Sequence, residues 1–190
     1  MRRKSLAIFG LLLWLNTTAF AAGGYRELDW LDLLTDSDRK AMLNLPDIDH
    51  SVSPERAPDP DKNRTAEFTQ GIKQKKARAQ WQKVLTASTV RKELDGAKIR
   101  LAGYIVPLQT NGKGELSEFF LVPYLGACIH VPPPPPNQLV YVRFAKGLKF
   151  EPDDIYQAYR VEGVLHTETI QNRLADAAYT LTGEAVRIYQ

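Results

Sequence analysis

Apolar positions along this 190-residue chain change their period at residue 96 or close to it. From about Thr65 to Leu94 the period is helical. Phe68, Ile72, Ala77, Trp81, Val84 and Leu85 fall near one stripe, and Lys73, Lys75, Lys76, Arg78 and Lys83 take the remaining positions. A break near Ala87-Ser88 is expected to lead into a second short helix through Leu94, and Asp95-Gly96 turns the chain. Beyond Gly96 the pattern becomes one of strands, predicted at 98–108, 115–124, 138–144, 159–169 and 178–189. The first two are joined through Thr110 to Gly114, where Asn-Gly signals a hairpin. A brief helical turn is expected over 170–176. Gly103 and Gly163 fall inside strands, where small barrels need sharp coiling or a bulge. Five strands without regular intervening helices predict a mainly β fold, a small OB-like antiparallel barrel with an N-terminal helical arm.

The segment before residue 65 divides in three. Arg2, Arg3 and Lys4 precede a short apolar run, Ser5 to Leu15, and Ala19 and Ala21 stand where a signal peptidase requires small residues. This reads as a cleavable leader, 1–21, too short and wrongly flanked for a membrane span. The expectation is an exported, periplasmic chain with no transmembrane segment once matured. Residues 22–64 form an arm and a spacer. In the arm, Trp30 and Leu34 are expected to pack on the main domain, and Thr35 or Asp36 caps a short helix that Pro46 ends. The spacer, rich in Pro, Asp, Ser and Asn, carries too little apolar surface to pack, and His50 falls in it. The helical segment is 65–95 and the barrel domain 96–190.

Charge alters one conclusion. The full chain has 25 Lys and Arg against 22 Asp and Glu, but the leader holds three of the bases and no acid. The mature chain is formally neutral, which argues against nucleic acid as a partner. One cysteine cannot close an internal disulfide, so the fold relies on an ordinary core and the thiol stands alone.

Candidate chemistry gathers in Val122-Pro-Tyr-Leu-Gly-Ala-Cys-Ile-His-Val-Pro-Pro-Pro-Pro-Pro-Asn137. Cys128 and His130, two apart, share one side of an extended strand. Pro132, Pro133, Pro134, Pro135 and Pro136 hold their own backbone stiffly extended toward polyproline II, and with Asn137 they make a candidate binding loop. Thiolate and imidazole suit zinc or copper(I). Alternation along the fourth predicted strand puts Glu162, Val164, His166 and Glu168 on one face, so if the two strands are neighbours His166 completes a Cys/His/His set, with Glu168 or Glu162 as the fourth group. Two other readings stand beside this one. Cys128 with His130 or His166 as base would make a thiol-dependent enzyme. Alternatively, Cys128 is a small buried hydrophobe beneath a rigid proline loop. The chain has no phosphate-cradling glycine loop, no Gly-x-Ser-x-Gly turn and no His-Glu-x-x-His pair.

The arm Leu28-Asp-Trp30, the strand Arg100-Leu-Ala-Gly-Tyr-Ile-Val-Pro-Leu108 and above all the segment from Phe120 to Asn137 resemble the exported bacterial proteins grouped as DUF3299. The resemblance implies a Gram-negative periplasmic setting and brings no assigned reaction. It also implies neighbours among ABC-type transporter components, or another envelope protein, as partners. The resulting expectation is a non-enzymatic accessory or binding protein of envelope transport that handles zinc or copper through Cys128 and His130.

Overall fold

The computed structural model describes residues 24–47, 64–127 and 134–190, with side chains from residue 69 onward in the second of these ranges. Six strands make one sheet: β1 (Arg26–Leu28), β2 (Lys98–Thr110), β3 (Leu116–Val122), β4 (Val140–Leu148), β5 (Ala158–His166) and β6 (Tyr179–Ile188). Their order is β1-β2-β3-β4-β6-β5, and a further β2–β5 pairing closes the last five into a barrel. The mainly β, OB-like barrel expected from the strand pattern is the observed fold. One pairing in the ring, β4 with β6, is parallel. A ring of five strands cannot alternate direction all the way round, so one parallel contact is a requirement of closure. β2 can serve both neighbours because it is 13 residues long. Its first half pairs with β5, its second half with β3, and Tyr104 pairs with both.

Alternation fixes which side chains enter the barrel. Ile99, Leu101 and Ile105 of β2 point inward with Phe119 and Leu121 of β3, Val140 and Val142 of β4, Val161 and Leu165 of β5, and Leu181 of β6. Two glycines mark where the wall is too close for a side chain. A Cβ on Gly103 would lie 2.6 Å from the Val122 carbonyl oxygen and 2.9 Å from Trp30 Cζ2. At Gly163 it would collide with the Thr182 carbonyl, beside a register shift between Glu162 and Gly163. The β2–β3 connection is a turn over Asn111 to Gly114. The left-handed residue is Gly114 (φ 78°), and the Asn111 side chain accepts from the Lys113 and Glu115 amides. The Asn-Gly pair therefore opens the turn, and the second glycine supplies the positive φ.

The arm packs as its apolar residues predict. β1 lies parallel to β2, Leu28, Leu33 and Leu34 are buried, and Trp30 donates its indole N–H to the Ala102 carbonyl at 2.8 Å. Helix α1 (Asp36–Leu43) is capped by Thr35, whose hydroxyl accepts from the Asp38 amide. Helix α2 (Arg64–Leu85) follows. Of its expected apolar stripe, Ala77 and Val84 are buried, whereas Ile72 is exposed. Helical periodicity alone overstated this stripe, because α2 packs on α1 instead of lying along the barrel. Two shorter expectations change as well. Between Ala87 and Leu94 the chain makes one 3-10 turn, Lys92–Leu94, and in place of a helical turn over 170–176 an antiparallel bridge pairs Ile170 with Ala177. The leader and His50 lie outside the described residues. Among the described residues no helix is long and apolar enough to cross a membrane.

Candidate functional site

The Cys-Ile-His motif leaves and rejoins the described chain at two anchored points. After β3 the chain turns back so that Ala127 is buried on the outer surface of the barrel, against Phe120, Val122, Leu139, Tyr141 and Ala177. Cys128, His130, Pro132 and Pro133 lie outside the described residues. On the far side Pro134 and Pro135 are buried. Pro135 has φ −59° and ψ 152°, the polyproline geometry expected of the run. The strut ends there, because Pro136 opens a 3-10 turn, Pro136–Gln138. A first-turn proline is compatible with such a helix, since its missing N–H would have no partner there anyway.

The outer surface that holds Ala127 can be followed strand by strand. Val106 pairs with Phe120, Phe120 with Tyr141, Tyr141 with Thr180 and Thr180 with His166. These five residues form one outward row from β2 to β5. At about 4.8 Å per strand, His166 stands roughly 10 Å from Tyr141 along that row. His166 is partly exposed, with Nδ1 3.8 Å from Asp95 Oδ1. Glu168, just past the end of β5, accepts from Arg143 at 3.4 Å and from the Thr180 hydroxyl at 3.3 Å. Both candidate ligands are thus on the face where Ala127 is anchored, each with a separate partner. No group of three His, Cys, Asp or Glu positioned for a metal exists among the described residues. A site here requires Cys128 and His130 themselves.

Glu162, on the same side of β5 by alternation, is committed elsewhere. Its carboxylate accepts from Arg100 Nε at 2.8 Å and Arg187 at 3.2 Å. The Glu162 hydrogen bond and charge raise the Arg100 guanidinium above its ordinary value. This carboxylate joins β2, β5 and β6 on the outside of the barrel and is not available as a fourth ligand.

Asn137 has a larger structural part than its place in a proline loop suggests. It is wholly buried, and its Nδ2 donates to Asp38 Oδ2 at 3.2 Å and to the Thr89 carbonyl at 3.3 Å. Two acceptors around Nδ2 fix the orientation of the amide. Its Oδ1 is then left buried with no donor, an arrangement that costs about 1–3 kcal/mol. Asp38 Oδ2 also accepts from the Thr35 and Thr89 hydroxyls. Next to Asn137, Gln138 donates to the Trp30 carbonyl at 2.7 Å, and the Tyr179 hydroxyl donates to the Leu33 carbonyl at 2.7 Å. The bonds from Asn137 to Asp38, Gln138 to Trp30 and Tyr179 to Leu33 join the arm to the barrel across 99, 108 and 146 residues of sequence, so no local pattern announced them. Nor did any pattern mark Tyr141, whose hydroxyl donates to Glu118 on the outer face. Burial, then the Glu118 bond and charge, push Tyr141 up to about 12.

Comparison with known proteins gives a family and a solved relative. The model of the family described as "Protein of unknown function (DUF3299)" matches residues 30–188. The chain is also similar to a DUF3299 family protein from Pseudomonas aeruginosa PAO1, whose crystal structure it matches at 34% identity and a TM-score of 0.58. That match covers 88% of this chain and 98% of the other. No curated protein matches. A match over most of the barrel and arm, together with a relative that shares a third of its residues, places this chain in the DUF3299 family.

Proposed function

We propose that the protein is a periplasmic, non-enzymatic binding module of the Gram-negative envelope, an accessory to an ABC-type transporter or another envelope protein. Its ligand is a soft metal ion, zinc or copper(I), taken by Cys128 and His130. His166 is the third group, supplied by the same outer face, and Glu168 the fourth. One observation carries this reading. The segment that bears Cys128 and His130 is pinned at both ends, at Ala127 and at Pro134, and Ala127 packs on the face that presents His166 and Glu168. A thiolate and imidazoles within reach of one another are the donor set these ions prefer. Glu168 must then give up Arg143 and Thr180, which makes it the weakest of the four.

The test is a competition titration of purified chain starting at Ala22 with zinc and, under reducing conditions, copper(I). The parent is expected to take up one equivalent. Cys128→Ala and His130→Ala are expected to abolish uptake, His166→Ala to weaken it at least tenfold, and Glu168→Gln to weaken it less. Parental binding by both Cys128→Ala and His130→Ala would remove the site. Release of processed chain by osmotic shock tests the location independently.

A further inference from the structure

A cavity of about 260 Å³ opens between α1, the end of α2 and the segment 86–89, away from the outer-face row. Its greater part is apolar: Leu34 from the arm, Ala41 and Met42 from α1, Val84 from α2, and Ala87. One wall is polar, built from Asp38, Thr89 and Asn137. We propose that this cavity is a binding site for a small molecule with a short aliphatic body and a protonated amine head.

The polar wall sets the sign of the head group. Three donors converge on one oxygen of Asp38: the Thr35 hydroxyl, the Thr89 hydroxyl and Asn137 Nδ2. All three address Oδ2, which holds the carboxylate in one orientation and leaves Oδ1 to other donors. Asn137 spends its donor group on Asp38 and on the Thr89 carbonyl, and its own acceptor Oδ1 is buried with none. The Asp38 carboxylate therefore gives this wall a negatively charged acceptor, which suits an incoming N–H donor and penalises an anion.

Size limits the body. The volume lies just under the roughly 300–1,000 Å³ of sites for drug-sized ligands, so the occupant has few heavy atoms. Met42, unbranched and adaptable, lets the apolar part close on chains of slightly different shape. The exposed Lys83 at the rim adds a positive charge near the opening, so its removal is expected to favour a cationic ligand.

The probe is 3-methylbutylammonium, with 4-methylpentanoate as its anionic counterpart, titrated into the full mature chain while the Met42 methyl resonance is followed. The amine is expected to give a saturable shift and the acid none. Asp38→Asn is expected to weaken binding at least tenfold, and Lys83→Gln to strengthen it about twofold. Because Asp38 also ties the arm down, Ala41→Phe serves as a second variant that fills the cavity from α1 without touching the polar wall. It is expected to keep the parent's melting temperature and zinc uptake and to lose the amine. Absence of a saturable shift overturns the proposal, as does an equal response to the acid or amine binding that survives Ala41→Phe. Failure of metal uptake in the parent leaves this site standing, since no residue is shared between the two.

Discussion

The barrel and the α1–α2 corner are held together in different ways. In the barrel every strand of the closed ring has a hydrogen-bonded neighbour on both sides, and Phe119, Leu121, Val142 and Leu165 have no exposed surface. The corner has a 22-residue helix that buries Ala77 and Val84 and a short α1 with no buried residue. Its position depends on a few directed bonds: Trp81 to the Pro46 carbonyl at 2.8 Å, and the donors that meet on Asp38. Apolar burial is cumulative and insensitive to small shifts, whereas a directed bond is lost once its partners separate. The corner is therefore expected to open at lower free energy than the barrel. Both candidate sites lie outside the barrel interior, one on its outer wall and one in the corner.

Mutating each core tests this contrast most severely. Phe119→Ala empties the centre of the barrel and is expected to cost about 3–5 kcal/mol by denaturant unfolding. An equal loss from Val84→Ala would erase the distinction between the two regions. The next effect is alkaline. Tyr141 stays protonated in the fold up to about 12, while in the unfolded chain a tyrosine ionises near 10. The unfolded state thus binds fewer protons between these values, and the stability Tyr141 contributes, complete below pH 10, is lost as pH rises toward 12. The loss is about 2 kcal/mol, and ultraviolet titration should show a tyrosine step near 12 that belongs to Tyr141. Glu118→Gln should lower that step without returning it to 10, since burial is the larger cause. Smaller still is Trp30→Phe, which keeps an aromatic ring on the arm and removes the bond to Ala102 together with the Cζ2 atom beside Gly103. It should cost about 1 kcal/mol. Val84→Ala, at about 1–2 kcal/mol from two lost methyl equivalents, falls between the Tyr141 and Trp30 effects, and α2 amides are expected to exchange faster than those of β3 in the parent and faster again in this variant.

How much was legible depends on the range over which each signal acts. The five barrel strands, the cap at Thr35 and the outward face shared by Glu162, Val164 and His166 were readable, because alternation and capping depend on residues a few positions apart. The exposure of Ile72, the Ile170–Ala177 bridge and the place of Pro136 inside a turn were not. Ile72 is exposed because α2 packs on α1, and the other two are local turns and bridges whose geometry residue type alone does not specify. In the candidate site, the outward face of His166 was legible from period two, whereas the strand stops before Glu168. That Glu168 is held by Arg143, and that Glu162 is neutralised by two arginines, required the neighbouring strands.

By itself the amino-acid order settled that this is a barrel of short strands with an arm, and it singled out Cys128, His130 and the prolines, because residue type and spacing are local properties. Tertiary structure alone decided that β4 meets β6 in parallel, that Asn137 reaches across 99 positions to Asp38, and that a cavity opens beside them. Those features arise where the closed ring brings remote segments together, and closure is a condition on the whole chain that no short window of sequence contains.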